Sequence, residues 1–414
     1  MISVWKRILK WYRNNWKTLS VSLLVSLAIT IFSYEVANSL HPMAGEYAAQ
    51  KQINDIRKFL GLQQGHVPDS ILFINVCYDK ELTPYEEQGM PVGNMVITDR
   101  EKLLNLLTEA KEANNYRYIF MDVLFEEGIE TEADSALFHT IASMDRIVIP
   151  EHKGILLADK MLYTKSANAD YSVTWKQLTF AHYQFLHDDS IPSVALRMYA
   201  DRRHLKGNAI TPHWGGLWYT DNGKLCQNGA TLFMNVRING SLLDTEGQEL
   251  ERNFIYLGAD LLDLNEVVPI KEQIKDKILV IGDFKGDVHT TYIGPQPGSS
   301  LCINAFITLM EGRHFVNWLN IFIMFIIYTT IGTFYLRGTS FQTLFANPWM
   351  GVVMSFFSTA TLFLVIAIIA FWHDVAFNMW VPTTIYSLID TYIQKRNIFI
   401  NKKKNEKTRT VPAA

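Results

Sequence analysis

The stretch DKILVIGDFKGDVHTTYIGPQPGSSLCINAFITLMEG, Asp276–Gly312, decides the fold. It opens on Ile278–Ile281, a short run of Ile, Leu and Val suited to a strand buried on both faces. Gly282-Asp283 ends that run with a turn. A polar loop rich in Gly and Pro follows, carrying Asp283, Asp287, His289, Thr290 and Thr291. A helix-like segment, Cys302–Met310, then stops at Glu311-Gly312, and a membrane-length apolar run starts at Phe315. Strand, loop and helix therefore feed toward a bilayer.

Upstream, the pattern alternates. Ile71–Val76 reads as a buried strand, and Asp99–Asn114 as a helix opened by an acidic residue, with Leu103, Leu106, Leu107 and Ala110 on one face. Tyr118–Phe125 is a second strand, interrupted by Asp122. Asp134–Ser143 is a helix, and Arg146–Pro150 a third strand. Such alternation predicts a mixed, largely parallel sheet of the α/β class, wrapped by helical crossovers. Residues 151–275 are less regular. Tyr171–Phe185 looks strand-like, and Pro192–Tyr199 looks like a helix with Pro in its first turn. Residues 208–230 are turn-rich and suit loops or a hairpin. Leu232–Ile238 and Phe254–Leu257 are further strand candidates.

The ends of the chain are apolar. Residues 1–18 interleave Lys6, Arg7, Lys10, Arg13 and Lys17 with Trp5, Trp11 and Trp16, the composition of a cytoplasmic membrane interface. Residues 19–40 are long enough to span a hydrocarbon core of roughly 30 Å. They exceed a signal-peptide core and lack a small-residue cleavage site, which favours an anchor. Residues 315–336, 349–372 and 375–393 are three further candidate spans. The last contains Pro382 and Asp390, the latter close enough to the end to reach the headgroups, and also suits an amphipathic surface helix. Residues 394–414 form a basic tail. Positive charge at both ends places both termini in the cytoplasm; one span before the middle domain and three after it satisfy that parity, whereas two after it would not. Residues 41–314 are then extracytoplasmic, on a bacterial inner membrane. Residues 43–62 have helical spacing and suit either packing on the domain or the seam of a homodimer.

Composition excludes several classes. A net charge of −3 with no basic stripe gives nucleic acid no footprint. Cys77, Cys226 and Cys302 are too few and irregular for a disulfide framework or zinc site, and read as small buried residues. No nucleophile elbow, zinc-protease motif, P-loop or dinucleotide fingerprint occurs, so neither an enzyme nor a cofactor is expected. Gly298-Ser299-Ser300 suits a helix start better than a nucleophile turn.

The opening stretch resembles the CHASE2 family of extracytoplasmic sensory domains. The resemblance rests on Lys277–Gly282, Asp287, Thr291, Gly298, Asn304-Ala305, Leu309 and Gly312. Upstream, Asp122-Val123-Leu124-Phe125, the helix at Arg100, Asp134 with Leu137, and Pro192-Ser193-Val194-Ala195-Leu196 are similar to family segments. It covers nearly the whole chain and implies a sensory domain between one leading and three trailing spans. Cys302 stands where the family commonly has His, and Asp283-Phe284 where many members have Ala-Thr. After Asn75, Val76-Cys77-Tyr78-Asp79 replaces the usual acidic cluster. The sequence ends about 20 residues after Ile393, so the expected output partner is a separate cytoplasmic signalling protein.

Ligands of open α/β sheets bind beyond the carboxyl ends of the strands. Asp122, Asp283, Asp287 and His289 fall there, and are expected to converge on a pocket for a small cationic ligand or hard metal ion. Against this stands a local role: turn-forming aspartates, a capping Asp122 and a surface His289. The function expected is a membrane sensor or receptor. The alternative is a scaffold whose outer domain binds envelope proteins.

Overall fold

The computed structural model describes residues 2–37, 44–61, 67–87, 90–170, 179–180, 182–188, 191–205, 209–238, 253–336, 348–372 and 377–409. The chain divides into two compact units, Arg57–Val316 and Met1–Ile56 with Asn317–Ala414.

Arg57–Val316 is an α/β unit built on one six-stranded sheet. Its strands are β1 (Ile71–Asn75), β2 (Tyr118–Asp122), β3 (Ile147–Glu151), β4 (Ser166–Asn168), β5 (Phe254–Tyr256) and β6 (Ile278–Gly282). Their spatial order is β5-β1-β6-β2-β3-β4, and every adjacent pair is parallel. The sheet is thus wholly parallel rather than mixed; antiparallel pairs occur only in separate small sheets.

Alternation along each strand makes two cores. Phe73, Tyr118, Phe120, Val148 and Val280 face one side, against helices Val194–Arg202 and Gly298–Met310. Leu72, Ile74, Ile119, Met121 and Ile281 face the other, against Arg100–Ala113 and Asp134–Ser143. Burial on both faces is why these strands read as continuous apolar runs.

Local chemistry sets the ends. Asp99 caps its helix by accepting from Lys102 N at 2.9 Å, and Asn114 closes it in the left-handed region at φ 46°. Ser193, not Pro192, caps Val194–Arg202; Pro192 lies just before it, in a short strand. The Gly298–Met310 helix begins four residues earlier than its apolar run suggests, because Gly298, Ser299 and Ser300 are helical and buried. Two hairpins escape the sequence pattern: Lys80–Glu87 with Met90–Thr98, and Val288–Thr291 with Gly294–Pro297. Residues 208–230 contain a three-stranded antiparallel sheet, Ile210–His213, Trp218–Asp221 and Lys224–Gln227. Most of the strand expected over Tyr171–Phe185 lies outside the described residues.

Leu232–Ile238 forms no strand ladder. Side-chain amides hold it instead. Asn304 accepts from Val236 N at 2.9 Å and donates to Val236 O at 2.8 Å; Gln296 does the same to Ile238 at 3.1 and 3.2 Å. Each amide stands in for the peptide group of a neighbouring strand.

The second unit is helical. Ile2–Ala37, Trp318–Leu336, Pro348–Trp372 and Trp380–Arg409 pack together, and Ala44–Ile56 groups with them. Among the described residues of this unit, Trp16–Ala37 is the one stretch long and apolar enough to cross a membrane; Trp318–Thr333 and Thr359–Ala370 are shorter. Hydroxyls lace the bundle. Ser22 donates to Thr329 O at 2.9 Å, Tyr386 to Tyr328 O at 2.6 Å, and Tyr335 meets Thr359 at 2.8 Å. Asp390 does not reach outward as its position suggests: its helix continues to Arg409, and it is wholly buried in the bundle.

Candidate functional site

The topology puts a switch point at the carboxyl ends of β1, β6 and β2. Asn75, Gly282 and Asp122 are in register across these three strands. β1 and β2 lead into helices on one face of the sheet, whereas β6 leads into Gly298–Met310 on the other. Loops diverging in this way leave a gap at the strand ends, where α/β folds bind ligands. Gly282 keeps the row close; a Cβ there would stand 3.3 Å from Cβ of Asp122.

Asp122 ends β2 and is partly buried. Enclosure by protein raises its carboxyl to about 7, and the Asp287 carboxylate adds to the rise. Its partial opening lets water and protons reach it. Burial and Asp287 are the influences on it, with no hydrogen bond from a described residue among them, so the local reading as a cap or turn residue gains no support. An acid in this state binds a proton or a cation at little cost near neutral pH.

Asp287 and His289 form a pair, with Oδ1 to Nε2 at 2.9 Å. Burial lowers His289, so near neutral pH this is a hydrogen bond donated by a neutral imidazole. Asp287 is raised by the surrounding protein and by Asp283, and eased by His152 and Gly298 N. Its side chain is about half exposed, so water tempers that rise. Asp287 also stands at the start of the Gly298–Met310 helix, where a carboxylate favours the positive helix end.

Asp283 has a different task. Its Oδ2 meets Lys80 Nζ at 2.8 Å, and Oδ1 accepts from Lys285 N and Gly286 N at 3.1 and 2.7 Å. Burial pushes this carboxyl up, but Lys80 and the backbone donors outweigh it and hold it low. It is a satisfied turn aspartate, as the local reading had it.

The structure therefore brings Asp122, Asp287 and His289 together and sets Asp283 beside them, already paired. Sequence reasoning missed several neighbours. Cys302, fully enclosed, feels both Asp122 and Asp287 and lies 3.7 Å from the Tyr183 hydroxyl; burial first, then those carboxylates, raise its thiol. Asn75 Oδ1 accepts from Cys77 N and Phe284 N at 3.1 and 3.3 Å, tying the loops after β1 and β6. Phe180 packs edge-on against His289. In the sequence Cys302 reads only as a small buried residue and as a departure from the pattern of the family it resembles; Tyr183 lies in a three-residue strand with no periodicity to mark it. Among the described residues no three His, Cys, Asp or Glu side chains are grouped to hold a metal ion.

All three cysteines are free, Cys226 and Cys302 buried and Cys77 partly so. Comparison with family models, characterised proteins and solved structures gives no match.

Proposed function

We propose that this chain is a membrane-embedded sensor of the CHASE2 type. In this reading it crosses the bilayer four times with both termini in the cytoplasm, and residues 41–314 lie outside. A small cationic ligand is taken up at Asp122, Asp287 and His289, and the response passes through the spans to a cytoplasmic signalling partner. The site binds rather than catalyses.

The observation that supports this most is continuity. The loop carrying Asp287 and His289 leads through Gly298–Met310 to residue 316, and an apolar helix opens at Trp318. A change at the strand ends therefore acts on the chain segment nearest that helix. The raised Asp122, with no hydrogen-bond partner among the described residues, supports a cation because binding one would restore its charge. Differential scanning fluorimetry of the full chain against a panel of amines and divalent cations tests the site. Stabilisation by one of them that is lost in both Asp122→Asn and Asp287→Asn is expected; no response across the panel, or one unchanged in both variants, overturns it.

A second reading, a scaffold that binds envelope proteins, has one observation in its favour. On the hairpin Lys80–Glu87/Met90–Thr98, Leu82 and Val96 are directly paired and both largely exposed. Replacing both by Lys separates the readings: loss of an envelope partner with cation response intact favours the scaffold.

A further inference from the structure

Within the helical unit lies a cavity of about 730 Å³, walled by three helices. Trp380–Arg409 supplies a single stripe, Tyr386, Ile389, Ile393, Arg396 and Ile400, spaced at alternating steps of three and four. At 1.5 Å per residue this stripe is about 21 Å long, close to the depth of one leaflet with its headgroup layer. Val21, Ser22 and Val25 form the second wall, and Gly332 with Leu336 the third. Gly332 sets the depth; a Cβ there would come 2.8 Å from Ser22 Oγ, so the helices meet at that point and part beyond it. Leu388 and Tyr392 are largely exposed on the rim.

The walls are apolar apart from Ser22 and the tyrosines, and among the lining residues Arg396 is the one charged side chain. Arg396 and its neighbour Lys395 are exposed. The first helix lines the groove with the N-terminal part of its apolar stretch, and the other two with their C-terminal parts. Ser22 lies one turn and a half from Lys17, Leu336 closes its helix, and the stripe runs into the basic tail. By the positive-inside rule that end is cytoplasmic.

We propose that this groove is a site for an anionic glycerophospholipid of the cytoplasmic leaflet. One acyl chain lies along Ile389, Ile393 and Leu336, and the phosphate headgroup meets Arg396. The chemistry is that of a basic pocket between membrane helices: apolar length holds the chain, and a guanidinium selects the headgroup charge. The proposal rests on the membrane-spanning reading above and adds a ligand class to its cytoplasmic side.

Alkaline carbonate extraction of membranes carrying the full chain comes first. A chain released into the supernatant ends the membrane reading and this proposal with it. The pelleted chain is then extracted with equimolar phosphatidylglycerol and phosphatidylcholine and examined by native mass spectrometry. Retention of phosphatidylglycerol is expected to exceed that of phosphatidylcholine by about fivefold, the worth of one cation at an anionic surface. Arg396→Gln should bring the two to parity. Ile393→Trp, which fills the groove without touching the charge, should displace both lipids while the helical circular dichroism stays unchanged. Equal retention by the unaltered chain, meaning annular lipid only, overturns the proposal but leaves the membrane reading intact. So does a preference that survives Arg396→Gln, or lipid retention that survives Ile393→Trp.

Discussion

Oδ2 of Asp287 occupies the space that a side chain on Gly298 would need. The first residue of a buried helix is thereby fixed as glycine by a carboxylate eleven positions earlier. Gly298→Ala should displace Asp287 and break its contact with His289, costing about 1–3 kcal/mol, as overpacking does. Asp287→Ala combined with Gly298→Ala should recover part of that loss. Thermal unfolding of the two single variants and the double variant gives the coupling.

Asp122 should make stability fall as pH rises. Its folded-state carboxyl titrates near 7, above the unfolded value near 4, so the folded chain binds the extra proton between them. Stability contributed by this group is complete below about pH 4 and is lost as pH climbs through 7. Asp122→Asn should therefore be more stable than the unaltered chain at pH 8, by on the order of 1–2 kcal/mol, given the site's partial opening to water. The two should converge near pH 4. Denaturant unfolding at both pH values measures the difference.

His314 should act in the opposite sense. It is fully buried between Tyr199, Tyr219 and Phe315, with Asp221 3.5 Å away. Burial lowers it to about 4, more than the Asp221 carboxylate raises it. Stability from a neutral His314 is present above the unfolded value near 6.5 and lost as pH falls toward 4. His314→Phe should flatten the unfolding profile across that window.

Asn304→Ala should cost about 2–4 kcal/mol. It removes both bonds to Val236 and leaves a buried N–H and C=O unsatisfied. Amide exchange at Val236 should accelerate more than at Ile238, whose partner is Gln296.

The sheet was legible because strands buried on both faces spell themselves as Ile-Leu-Val runs: Ile278–Ile281 is one residue short of β6. Asp134–Ser143 was read to the residue. Elements held by other means were hidden. Leu232–Ile238 has strand composition, but side-chain amides replace its ladder. Lys80–Glu87/Met90–Thr98 is broken by Pro84, Pro91 and Gly93, which mask its alternation. Asp122 and Asp283 look alike as acids near strand ends. Only the fold shows that Lys80, contributed by a hairpin 203 residues earlier, satisfies one of them.

The seam at residues 314–316 has a mechanical consequence. Cys226 bridges Phe315, Gln227 N donates to His314 O, and Val316 N to Leu225 O, both at 3.1 Å. The exit from the sheet unit is therefore clamped edge to edge against Lys224–Gln227 instead of hanging as a tether. Sliding along a strand finds its next matching register only about 7 Å away, at two residues of about 3.4 Å each. A shift smaller than that would have to carry the Trp218–Gln227 hairpin along with the exit, so the exit is geared to that hairpin through two backbone bonds.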